Sequence, residues 1–230
     1  MKLQGLQKLT LLDYPGRVAC TVFTSGCNFR CLFCHNASLL DTQSGEGALT
    51  EAAFFEYLNR RRTMLEGVCV TGGEPTLQRD LPAFLARIHE CGLSVKLDTN
   101  GSNPALLRRL IEEGLVDYVA MDLKNAPEGY AHTSGNASCL GAVTESAALL
   151  RESAVPHEFR TTVVSELHDE AAIRGIGQAF GGESPYFLQK FADSGDIVAA
   201  GLHAPSDEEM RRYLQAARAY FPRAALRGME

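Results

Sequence analysis

Apolar runs rich in β-forming residues alternate along the chain with amphipathic stripes of helical period, and this alternation most constrains the fold. Arg17 to Thr24 (RVACTVFT) reads as the first strand. Thr50 then caps a helix with Glu51 in its first turn and Phe54, Phe55 and Leu58 inward. Val68 to Thr71 is the second strand and ends in glycines. Asp80 precedes Leu81, Phe84, Leu85 and Ile88, an i, i+3, i+4, i+7 stripe that Gly92 terminates. Leu93 to Leu97 is strand three, and Asn103-Pro104 opens a helix carrying Leu106, Leu107, Leu110 and Ile111 as far as Gly114. Val116 to Asp122 is strand four. Thr144 to Glu152, Glu158 to Val164, Asp169 to Phe180 and Tyr186 to Phe191 continue as helix, strand, helix, strand. Ser206 with Glu209 forms a capping box ahead of Met210, Tyr213, Leu214 and Ala217.

About six strand–helix units result, fewer than the eight of a closed barrel, and the pattern alone does not separate an open sheet from a barrel. Either arrangement places chemistry at the carboxyl ends of parallel strands. A cysteine cluster follows strand one, a glycine motif follows strand two, and Asp98 to Gly101 follows strand three. With 230 residues and no break in composition, the expectation is one domain over 1–230.

Charge and composition exclude several classes of function. The net charge is −6, and the densest basic run, Arg60 to Arg62, is short and backed by Glu56 and Glu66, so no nucleic-acid footprint is expected. No segment has the length of a membrane span or the apolar core of a signal peptide, so the expected location is the cytoplasm. Seven cysteines, an odd number, argue against a disulfide framework. Cys20, Cys69, Cys91 and Cys139 are dispersed and read as structural thiols.

Cys27, Cys31 and Cys34 stand in one short segment, Gly26-Cys-Asn-Phe-Arg-Cys-Leu-Phe-Cys-His-Asn36. A loop this short gathers three thiolates around one cubane cluster at little closure cost and leaves a fourth iron without a protein ligand. A structural zinc site completed by His35, or three unligated thiols, also fits the spacing. Gly72 and Gly73 allow close backbone approach to a ligand, and Glu74 offers an acceptor for a protonated amine, although Gly-Gly-Glu-Pro by itself is a turn. Asp98 suits an Asx turn before Asn100-Gly101, and Asp122 a strand-end carboxylate. Asp13 before Pro15-Gly16 has the same turn reading, while Arg160 faces either the interior or solvent. His35 and Asn36 are placed to support the cysteine loop by hydrogen bonds. His89, His132, His157, His168 and His203 show no ligand spacing and are expected at the surface.

The CxxxCxxC loop, with Phe33 immediately before its third cysteine, resembles that of the radical S-adenosylmethionine enzymes. Asp13-Tyr-Pro-Gly16, Cys34-His-Asn36, Thr71-Gly-Gly-Glu-Pro75, Asp98-Thr-Asn-Gly101 and Met121-Asp-Leu-Lys124 follow in the order seen in glycyl-radical-enzyme activating enzymes, most nearly those of anaerobic ribonucleoside-triphosphate reductase. That resemblance implies an α/β fold, a partial (β/α)6 barrel. It implies a 4Fe-4S cluster on Cys27, Cys31 and Cys34 and reductive cleavage of S-adenosylmethionine to methionine and a 5′-deoxyadenosyl radical. The radical would abstract hydrogen from a glycine of a partner reductase, with reduced flavodoxin or ferredoxin as donor. Phe33, Gly72, Gly73, Glu74, Asp98, Thr99, Asp122 and Lys124 would bind S-adenosylmethionine. By resemblance to pyruvate formate-lyase activating enzyme, Asp98, Thr99 and Asp122 would hold a monovalent cation beside the methionine carboxylate. Ala37 to Ala48 contains no cysteine, so no inserted ferredoxin-like domain is expected. The remaining alternatives are a radical enzyme acting on a peptide or small molecule, and a non-catalytic metal scaffold.

Overall fold

A computed structural model describes residues 1–41 and 49–229. Residues 42–48, most of the cysteine-free segment Ala37 to Ala48, lie outside the described residues. The chain divides into two compact units, one of Met1–Asn28, Ser38–Thr99 and Ala105–Ala120, the other of Phe29–Ala37, Asn100–Pro104 and Met121–Glu230. Strand order follows chain order, as repeated βα units require.

In the first unit β2 (Ala19–Thr24), β3 (Gly67–Gly72) and β4 (Ser94–Thr99) pair in parallel, and β1 (Leu3–Thr10) pairs antiparallel with β2. Five of six β2 residues are buried, because a parallel strand with covered faces reads as a continuous apolar run. α1 (Glu51–Arg61) starts where expected, with the Thr50 side chain accepting from the Ala53 amide, and buries Phe54, Phe55 and Leu58. α2 (Leu81–Glu90) buries the expected stripe, and its Phe84 ring lies 5.3 Å from those of Phe54 and Phe55. α3 (Pro104–Glu112) buries Leu107 and Leu110.

In the second unit β6 (His157–Val163), β7 (Tyr186–Lys190) and β8 (Ala224–Arg227) pair in parallel. β5 (Tyr118–Asp122) belongs partly to each unit. α4 (Pro127–Ser134), α5 (Leu140–Glu152), α6 (Glu170–Phe180) and α7 (Asp207–Arg218) complete the order. The Ser206–Glu209 capping box opens α7 as expected. Tyr186 stacks on Phe221 at 4.3 Å and donates its hydroxyl to Thr161 Oγ1 at 2.8 Å, so burying this tyrosine leaves no orphan donor.

Three elements escape the sequence reading: β1, α4 and β8. α5 begins at Leu140, four residues before the expected Thr144. The expectation that His168 lies at the surface is overturned, since it is 2% exposed. Its Nδ1 accepts from the Val164 amide at 3.1 Å, and its Nε2 meets the Lys124 carbonyl at 2.8 Å. Both ring nitrogens are thus satisfied by backbone, which makes the burial tolerable.

Candidate functional site

The first unit builds its part of the site where β2 and β3 end. A Cβ at Gly72 would lie 2.3 Å from Thr24 backbone atoms, and one at Gly73 would lie 2.2 Å from the Gly26 carbonyl oxygen. Only glycine permits this approach. The Gly73 amide donates to the Thr24 carbonyl and the Glu74 amide to the Gly26 carbonyl, each at 2.8 Å. The residue before Cys27 is therefore tied directly to the Gly-Gly-Glu segment. On the other side, the Gly26 and Cys27 amides donate to Leu39 and Leu40.

Glu74 is 1% exposed. Its Oε1 accepts from the Thr76 amide at 3.0 Å, Thr76 Oγ1 at 2.6 Å and Thr99 Oγ1 at 2.8 Å. Converging donors of this kind satisfy a buried carboxylate and fix its direction. Glu74 and Thr99, named separately from sequence, thus meet; Thr76 was missed, although a hydroxyl two residues after a carboxylate is a turn signal.

Asn100 forms an Asx turn, accepting from the Ser102 amide at 2.9 Å. Asp98 pairs with Lys96, two residues earlier on β4. Cys69, opposite Lys96 in the parallel register, completes a small polar cluster. Asp13 accepts from Thr21 Oγ1, which fixes the β1–β2 connection.

The second unit carries Cys31, Phe33 and Cys34. The Cys34 amide donates to the Cys31 carbonyl at 3.1 Å, so the CxxC half is a tight turn. The Ala199 amide donates to Leu32, the Ala37 amide to Asp196, and Ser194 Oγ to His35. The segment after β7 therefore straps this half of the loop. His35 packs on Phe191 at 5.5 Å, and burial, then the Lys124 charge, lower its pKa. Phe33 sits against His168 at 6.3 Å and 5.7 Å from Lys124 Nζ, within cation–π range.

Asp122 resolves the two readings of Arg160 in favour of a carboxylate partner. Its Oδ1 accepts from Arg160 Nε at 2.9 Å and its Oδ2 from Lys124 Nζ at 3.0 Å. Burial alone would raise the Asp122 carboxyl, but Arg160 and Lys124 override it and hold the group well below the usual carboxylate range. Lys124 is raised in turn, Asp122 outweighing the opposing effect of burial.

None of the seven cysteines is in a disulfide; Cys31 is buried, while Cys27 and Cys34 are half-buried. Among the described residues no three His, Cys, Asp or Glu side chains stand together as metal ligands. Three thiols outside any disulfide in one loop are nevertheless a donor set suited to a thiolate-held cluster.

The family model of the radical SAM superfamily matches residues 21–174. The chain belongs to the radical SAM superfamily. This superfamily is one of 4Fe-4S clusters and S-adenosylmethionine, and the matched residues span every motif from the cysteine loop to Arg160. A Methanocaldococcus jannaschii protein named as a candidate glycyl-radical enzyme activating enzyme is 30% identical over 97% of this chain and 94% of its own length. The pyruvate formate-lyase 1-activating enzyme of Escherichia coli K12 is 32% identical over 54% of this chain and 52% of the enzyme. Streptococcus suis SuiB, solved bound to S-adenosylmethionine, superposes with TM-score 0.67 at 14% identity, covering 89% of this chain and 49% of SuiB. At that identity the likeness speaks for the fold, and this radical SAM chain has the α/β, partial-barrel fold expected from its sequence.

Proposed function

We propose that the protein is a glycyl-radical-enzyme activase whose Cys27, Cys31 and Cys34 hold a 4Fe-4S cluster. The observation that carries this reading is the near end-to-end likeness to the M. jannaschii relative, a match not confined to the cysteine loop. A cluster on those thiolates would supply one electron to S-adenosylmethionine, breaking the sulfur–C5′ bond to give methionine and a 5′-deoxyadenosyl radical. The chain's own residues bind and orient. Glu74, held in direction by Thr76 and Thr99, accepts from the methionine amino group. Gly72 and Gly73 close against the backbone of Thr24 and Gly26 and so set Glu74 in place, and their own backbone and Phe33 would border the substrate. Lys124, held by Asp122, offers positive charge to the methionine carboxylate, with Asp98 and Thr99 bordering that group. The radical takes hydrogen from a backbone glycine of the partner, giving 5′-deoxyadenosine and a stored glycyl radical. The partner we favour is an anaerobic ribonucleotide reductase, with reduced flavodoxin or ferredoxin as electron donor, in the cytoplasm. Among the described residues no helix is long and apolar enough to cross a membrane.

The test is anaerobic reconstitution, dithionite reduction and addition of S-adenosylmethionine. Formation of 5′-deoxyadenosine is expected, and a glycyl doublet by electron paramagnetic resonance on adding the reductase. Cys31→Ala should abolish cluster content, whereas Cys139→Ala should keep it. A loaded cluster that yields no 5′-deoxyadenosine would sink the enzymatic reading. Deoxyadenosine without a doublet on any glycyl radical enzyme would move the target to a peptide or small molecule.

A further inference from the structure

Lys96 is a charged residue inside an apolar strand and is 2% exposed. An ammonium so buried keeps its charge only beside a counter-ion. Its counter-ion is Asp98, on the same side of β4, to which Nζ donates. Cys69 closes the cluster, its Sγ 3.8 Å from Lys96 Nζ and 3.6 Å from Asp98 Oδ1. In the second unit Asp122 carries Arg160 and Lys124. Each of the two carboxylates that resemblance assigns to a monovalent cation is thus neutralised by side chains of its own unit. A metal ion brought to Asp98 would meet the like charge of Lys96 at once.

We propose that Lys96 is a positioning residue that takes the place of the monovalent cation, so that S-adenosylmethionine binds to this chain without one. The ammonium neutralises Asp98 and fixes the direction of its carboxylate. No diffusible ion is then needed to relieve repulsion between Asp98 and the incoming methionine carboxylate. The proposal rests on the reading of Asp98 as part of the S-adenosylmethionine site.

The test titrates S-adenosylmethionine into the reduced, cluster-loaded protein and follows the change in its paramagnetic spectrum. Potassium, sodium and choline chlorides are compared at constant ionic strength. The wild-type Kd should agree within about two-fold across the three salts. Lys96→Met should bind about ten-fold more weakly in choline and recover in potassium, whereas Lys96→Arg should behave as wild type. The double variant Lys96→Met with Asp98→Asn, which leaves no unpaired charge, should again ignore the salt. That variant and the wild-type series keep the test decisive if Lys96→Met alone fails to fold. A ten-fold loss in wild type when choline replaces potassium would overturn the proposal, as would a Lys96→Met Kd in choline equal to that of wild type. Wild type that binds no S-adenosylmethionine in any salt would overturn the functional reading itself, an outcome distinct from salt dependence.

Discussion

Glu74 shows how a single side chain is prepared for its task. Three donors converge on one oxygen, so Thr99→Val, which removes one of them, should weaken S-adenosylmethionine binding by about five-fold, roughly 1 kcal/mol, while leaving cluster content unchanged. Titration of the loaded variant checks this. His168 makes a prediction about pH. Burial lowers its pKa, and its Nδ1 accepts from a backbone amide, so protonation would set two donors face to face. The unfolded chain takes up that proton first. Stability is therefore full above the ordinary histidine pKa of about 6.5 and falls as pH drops below it. Thermal midpoints measured from pH 7.5 to 5.5 should show this slope, and His168→Gln should flatten it. Sequence named Glu74, Asp98 and Thr99 but not how they pair. Lys96 was legible only as a lysine in step with Asp98 on a strand whose inward face was unknown.

At the scale of elements, the helices of strong period were readable and the weak ones were not. α4 is Pro-Glu-Gly-Tyr-Ala-His-Thr-Ser, with no apolar stripe and a central glycine. Asn125 holds it instead: Nδ2 donates to Thr133 Oγ1 and the Leu167 carbonyl, and Oδ1 accepts from the Ala126 amide. Asn125→Ala strands those buried partners and should cost about 2 kcal/mol in chemical denaturation. β8 is four residues long, too short for a pattern, and is anchored by Arg227. That guanidinium makes two bonds to Glu158, which is 1% exposed, and lies 3.4 Å from the Phe187 ring centroid. β1 does not alternate: its burial runs from buried through half-buried and exposed back to buried, and its antiparallel register with β2 is broken in two places. Its pairing partner was visible in the sequence, but the strand was not.

For the molecule as a whole, the order of βα units was legible because the strands from β2 to β7, unlike the short β8, announce themselves as apolar runs between helix caps. The chemistry was legible because its motifs fall at consecutive strand ends. What sequence withheld was the charge balance, which depends on register. Asp122 is held low by Arg160 and Lys124, so its contribution to stability is present at neutral pH, above the ordinary carboxylate range. It is lost as pH falls through the depressed value. Acid unfolding should accordingly begin with the histidine limb and continue on a carboxylate limb, which Asp122→Asn makes shallower. Ligation should also act on the entire fold. Cluster loading, and then S-adenosylmethionine at a hundred times its Kd, should each raise the thermal midpoint, the second by about 2.7 kcal/mol of stabilisation.

The space that Gly73 leaves open beside the Gly26 carbonyl has a consequence for mutational paths. Any side chain at position 73 must first displace the backbone that leads into Cys27, so the two positions are not independent. A library randomised at both, selected only for cluster colour, should return glycine at 73 almost alone. Variants that escape should carry a second change within the cysteine loop, which makes position 73 a reporter on that loop's shape.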